Sequence, residues 1–179
     1  MIQEIKIAGN RLGVLIGKGG SVKKELETKT STTISIDSKE GSVKLEGEDA
    51  PLLLRGIEVV QAINRGFSPE RAFVLLEDED LLLDIIDLSG LTDSPRQLDR
   101  LRGRIIGKDG RSREQIEHMT ECEISVFGKT VAIIGLPEQI KIARTAVDML
   151  LQGLPHEAVY AFMERKRREL KQDMIDYYY

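Results

Sequence analysis

Leu15-Ile16-Gly17-Lys18-Gly19-Gly20 and Ile105-Ile106-Gly107-Lys108-Asp109-Gly110 are one pattern written twice, ninety residues apart. The match continues on both sides in one order. Ile34-Ser35-Ile36 answers to Ile124-Ser125-Val126, and Val43 to Gly47 answers to Val131 to Gly135. Gly66-Phe67-Ser68-Pro69-Glu70 answers to Gly153-Leu154-Pro155-His156-Glu157. A repeat of this length and constancy marks two copies of one small unit.

The elements of a unit follow from pattern. Ile2 to Ile7 alternates as a short strand. Asn10 is placed to cap a helical turn ending at Ile16. Gly17 to Gly20 cannot continue that helix, because three glycines in four residues make it a turn. Ser21 is then expected to cap a second helix. Thr32 to Asp37 and Ser42 to Glu46 form a hairpin around Lys39-Glu40-Gly41. Asp49 and Pro51 open a long helix with Leu53, Ile57, Val60 and Ile63 at helical spacing. The second copy repeats the order: a dense apolar strand over Leu81 to Leu88, then a helix opened by Asp93 or Ser94 with Pro95. The turn, a helix over Arg111 to Met119, a tight hairpin through Gly128-Lys129 and a helix over Pro137 to Leu151 follow. Further helical stretches, Pro69 to Leu76 and Pro155 to about Asp173, end the copies. The expected class is α+β: two β-α-α-β-β-α units, each a three-stranded sheet packed on helices and followed by an extra helix. The boundaries fall at residues 1–80, 81–154 and 155–179, the last being the C-terminal helix and tail.

Charge sharpens the reading. The chain has 179 residues and a net charge of −4, which taken alone argues against a nucleic-acid binder. The segment Glu77 to Asp87 holds six acids and no base, so the remainder of the chain is net positive. Two windows are strongly basic, Arg11 to Lys24 and Arg100 to Arg113, and each contains one of the turns. A phosphate meets this local field, not the whole-chain sum. A helix that starts after the turn offers unpaired N–H groups and partial positive charge. Gly17, Gly19, Gly20, Gly107 and Gly110 let a phosphate approach those amides, with Asp109 standing where Gly19 stands in the first copy. Lys18 and Lys108 sit at the tips. Lys23, Lys24, Arg111 and Arg113 follow on the next helix, and Arg104 precedes the second turn. Leu15-Ile16 and Ile105-Ile106 are expected to face the bases of a single strand. Ile34, Ile36, Ile124 and Val126 are candidates for the opposite wall or for the core beneath it. Aromatic residues are 4% with no Trp, so an aliphatic groove is favoured over a stacking platform.

Other chemistries fail on spacing. A P-loop needs Gly where Leu12 and Arg102 stand, and Ser or Thr where Gly19 and Asp109 stand. One Cys, Cys122, excludes a disulfide framework, and with His118 and His156 the only histidines there is no nucleophile with a base and no metal set. No cofactor and no enzymatic activity are expected. No run reaches a membrane span and no signal peptide opens the chain, so the expected compartment is the cytoplasm.

Both copies resemble the type I KH domain, whose Gly-x-x-Gly turn holds about four single-stranded nucleotides. The tandem is similar to the archaeal branch of the KH-domain ribosome-assembly factor known in eukaryotes as the partner of the D-site endonuclease. The residues that carry this are Arg102 to Arg113, Ser125 to Gly135 and Glu164 to Leu170. The resemblance implies a single-stranded RNA partner, the 3′ end of small-subunit rRNA, and a role in maturing it. It also implies association with the D-site endonuclease and with the α subunit of translation initiation factor 2. The eukaryotic branch has a degraded first turn, whereas Gly17-Lys18-Gly19-Gly20 is intact here. The alternatives are a protein-interaction scaffold in which only the second domain binds RNA, and a general KH regulator of RNA.

Overall fold

The computed structural model describes residues 1–179. The chain divides into two compact units, Met1–Leu83 and Asp84–Tyr179.

The first unit runs β1 (Ile2–Lys6), α1 (Gly9–Ile16), α2 (Ser21–Thr30), β2 (Thr33–Asp37), β3 (Ser42–Glu46) and α3 (Ala50–Asn64), then α4 (Pro69–Ala72) and α5 (Val74–Glu77). A single 3-10 turn, Lys18–Gly20, separates α1 from α2. The sheet order is β1-β3-β2, all antiparallel, with Ile5 and Ile36 both opposite Val43. Alternation buries Ile34, Val43 and Leu45 on the face against which α3 sets Leu53, Val60 and Ile63.

The boundary falls inside β4 (Leu82–Asp87), which joins the second unit's sheet, and that unit continues through α6 (Pro95–Ile106), α7 (Arg111–Thr120), β5 (Glu123–Phe127), β6 (Thr130–Gly135), α8 (Pro137–Leu151) and α9 (His156–Tyr178). Its sheet order is β4-β6-β5, and β5 pairs antiparallel to β6 with Ile124 opposite Ile133. All six residues of β6 are buried. The helix α9 packs on α7 and α8 and sinks Val159 and Met163 into their core.

The architecture is the expected pair of α+β units, with differences at the element ends. Asn10 caps nothing: α1 begins at Gly9 after Ala8, whose N–H donates to Asn64 Oδ1 at 2.9 Å. Ser21 is already helical, because the 3-10 turn runs straight into α2 and leaves Gly20, at φ +78°, in the cap position. Asp49 and Ser94 cap as expected, accepting from Leu52 N and Gln97 N. The stretch after α3 is two short turns around Phe73, not one helix. Leu82 is 42% exposed, because β4 lies at a sheet edge and only Ile86 of that strand is buried.

One arginine in each unit locks the helix before the turn to the end of the long helix. Arg104 donates from Nε to Leu150 O at 2.9 Å and from Nη2 to Leu154 O. Arg11 does the same in the first unit, to Ile63 O and Phe67 O, both at 2.8 Å. These carbonyls close α3 and α8, where a cation is favoured by the helix dipole. Arg104→Met removes the charged donor and leaves both acceptors short of a partner. The second unit is expected to lose about 1–3 kcal/mol, read as a lower urea midpoint with an unchanged slope; an unchanged midpoint would show that the clamp contributes nothing.

Candidate nucleic-acid interface

The two turns are copies in their backbone. Gly17, Gly19 and Gly20 have φ of +73°, +62° and +78°, and Gly107, Asp109 and Gly110 have +75°, +56° and +75°. In each, the first glycine closes the preceding helix, Gly17 N donating to Gly13 O at 2.9 Å and Gly107 N to Gly103 O at 2.8 Å.

The first glycine is required twice over. Its φ is left-handed. A Cβ on Gly17 would also stand 2.5 Å from Val22 Cγ2 and 2.8 Å from Val22 N, and one on Gly107 would stand 2.6 Å from Ser112 Cβ. The chain therefore passes against the start of the following helix with no room for a side chain. The third position is different. Nothing lies within 4 Å of a Cβ on Gly19, and Asp, which tolerates this conformation, occupies the equivalent site at 109. Lys18, Gly19, Lys108 and Asp109 are exposed at the tips.

The remaining expected residues divide by duty. Lys18, Lys24, Lys108 and Arg111 are exposed and in no ion pair, so their charge is available to an anion. Lys23 pairs with Glu27 at 3.7 Å and Arg113 with Glu117 at 2.5 Å. Those carboxylates also bond to the backbone. Glu27 Oε2 accepts from Ile34 N and Glu117 Oε2 from Ile124 N, both at 2.9 Å. They stitch the helix after the turn to the strand beside it. An acid four residues after the cation, present in both copies, is the sequence signal for this stitch.

Two expected roles differ from what the structure shows. Leu15 and Ile105 do not face a groove; both are fully buried, and only Ile16 and Ile106 remain half-exposed. A helix turns about 100° per residue, so adjacent side chains cannot share one wall. Arg104 is committed to the carbonyls that end α8, and its own carbonyl meets His156 Nε2 at 2.9 Å. The strand residues divide between the two places expected for them: Ile34 and Ile124 belong to the core, while Ile36 and Val126 are half-buried and available as a wall.

Burial and nearby carboxylates push the Cys122 thiol up to about 11, which keeps it protonated and unreactive. No group of three His, Cys, Asp or Glu is placed to hold a metal. No helix is long and apolar enough to cross a membrane.

Two β-α-α-β-β-α units, each with a Gly-x-x-Gly turn between its first two helices, define a pair of type I KH domains. Residues 82–168 match the eukaryotic type KH-domain family (KH-domain type I), and residues 2–63 match the KH domain family. A KH domain-containing protein of Methanocaldococcus jannaschii is 44% identical over 174 residues, covering 95% of this chain and 76% of that protein. The pre-rRNA-processing protein PNO1 of Debaryomyces hansenii is 30% identical over 152 residues, covering 84% of this chain and 56% of that protein. The solved complex of a/eIF2alpha, aDim2p and rRNA from Pyrococcus horikoshii contains a chain with a TM-score of 0.88 and 47% identity. The match covers 94% of this chain and 95% of that one. The chain belongs to the tandem KH-domain family of archaeal Dim2p and eukaryotic PNO1.

Substitutions at the turns are expected to separate the two glycine roles. Gly107→Ala should cost at least about 1–3 kcal/mol, from left-handed strain and the clash with Ser112. Gly19→Asp should change stability by less than about 0.5 kcal/mol. Chemical denaturation of both variants checks this; equal losses would contradict it.

Proposed function

We propose that the chain is a non-enzymatic, single-stranded RNA-binding protein that acts in the cytoplasm on the 3′ end of small-subunit rRNA during its maturation. The observation that carries this reading is the pair of matching turns, each heading a helix and each flanked by unpaired cations: Lys18 and Lys24 in one unit, Lys108 and Arg111 in the other. Oriented amides and free cations converge on a surface without side-chain bulk, which fits a phosphodiester backbone. Ile16 and Ile36, or Ile106 and Val126, supply apolar flanks for unstacked bases. The rRNA and a/eIF2alpha of the Pyrococcus complex and the pre-rRNA-processing name of the yeast relative support this substrate. We infer the same partners here, the α subunit of initiation factor 2 and, from the family resemblance, the endonuclease that trims the precursor.

One observation favours unequal duties. The first unit turns from β2 to β3 through the longer loop Ser38 to Gly41, whereas the second turns through Gly128 and Lys129. The basic window at the first turn is also the poorer one, with Lys18 and Lys24 unpaired beside a Lys23 held by Glu27, which suits a first unit that binds RNA less tightly and is freer to hold a protein.

Binding of the full chain to a single-stranded oligonucleotide from the 3′ end of archaeal small-subunit rRNA tests the reading. Lys108→Asp should weaken binding about tenfold and reduce its salt dependence, with a smaller loss for Lys18→Asp. Unchanged affinity in both variants would remove the role of the turns.

A further inference from the structure

The helix before the second turn is longer than its counterpart. The first unit's α1 has 8 residues and α6 has 12. The added turns carry Arg96 and Arg100, whereas Asn10 stands at the position equivalent to Arg100 and α1 starts only at Gly9. At about 100° per residue, Arg96, Arg100 and Gly103 fall within one narrow stripe of α6 that leads down to Gly107 at its end, and Ile105 lies on the opposite side. Burial agrees: Arg96, Arg100 and Gly103 are exposed, Ile105 is fully buried, and Leu98 packs on the core.

The stripe is both smooth and charged. Nothing lies within 4 Å of a Cβ on Gly103, so the surface beside the turn is bare. Neither Arg96 nor Arg100 is in an ion pair, since Asp99, the nearest acid on the helix, pairs with Arg102 at 3.6 Å. Arg96 also occupies the first helical turn, which holds no acid. A cation there opposes the helix dipole. The helix is nonetheless firmly started by Pro95 and by Ser94, whose Oγ accepts from Gln97 N. An unpaired cation on an ordered frame, at a position that disfavours it, has no structural duty in this fold.

We propose that this face of α6 is a second phosphate-binding track, which extends the RNA site of the second unit beyond the nucleotides held at Gly107 to Gly110. Gly103, Arg100 and Arg96 lie about 6, 10 and 16 Å from Gly107 along the helix. These steps are comparable with the spacing of successive phosphates in an extended single strand. Gly103 lets the strand leave the turn without obstruction, and the two guanidiniums take the next phosphates, each as a forked donor. The site length of the second unit thereby exceeds that of the first. The track rests on the RNA reading of the turn, and the two are separable by strand length.

The test measures binding of the full chain and of an Arg96→Gln/Arg100→Gln variant to single strands of four and ten nucleotides from the 3′ end of archaeal small-subunit rRNA. The parent should bind the longer strand more tightly. The variant should bind the shorter strand like the parent, bind the longer about tenfold more weakly, and lose about 1.4 from its salt slope for two phosphates. Both residues are exposed, so its thermal midpoint should match the parent's. Equal affinity of variant and parent for the ten-nucleotide strand would overturn the track. So would an equal loss on both lengths, which would mean a diffuse field with no register. A parent that binds neither strand would overturn the RNA reading and the track with it.

Discussion

The fold of each unit turns on the close passage of one glycine against the helix that follows it. At Gly17 and Gly107 the chain reverses with a left-handed residue and comes so near Val22 and Ser112 that no Cβ fits. That contact fixes where α2 and α7 begin, and so where their amino-terminal amides point. Other bonds hold the reversal in place. Arg11 and Arg104 tie the incoming helix to the end of the long helix, and Glu27 and Glu117 tie the outgoing helix to the sheet. The turn is therefore preorganised between two anchored helices, which lowers the ordering cost of gripping a flexible strand.

Electrostatics follow from the same frame. The net charge of −4 describes the chain poorly, because six acids fall together in Glu77 to Asp87 while each turn carries unpaired cations. Within the basic windows, not every cation serves a ligand. Lys23, Arg113 and Arg104 are engaged by groups of the protein, and Lys18, Lys24, Lys108 and Arg111 are not. The count of basic residues overstates the positive field at each turn, and their pairing decides what a phosphate meets.

Much of this was legible in the sequence. The ninety-residue offset announced the two units, and the glycine-rich turns could be nothing but reversals between helices. What escaped has particular causes. Arg11 and Arg104 hold equivalent carbonyls from positions one helical turn apart, since Arg11 aligns with Leu101, so the repeat itself concealed their equivalence. Leu15 and Ile105 looked like half of an apolar rim because adjacent letters do not show that the helix rotates one of them into the core. Ser21 had the chemistry of a cap, but the 3-10 turn had already brought it into the helix. Each of these side chains has its partner set by tertiary packing, while the elements themselves are set locally.

If both turns hold single-stranded RNA as proposed, their backbone amides are where the strand must be felt. The most direct measurement is a titration of the isotope-labelled full chain with a ten-nucleotide strand from the 3′ end of archaeal small-subunit rRNA, followed amide by amide by NMR. The largest shifts are expected on Gly107 to Arg111, with smaller shifts at Gly17 to Ser21, and all should vanish together at high salt. Binding that leaves both sets of amides unmoved would contradict the proposal.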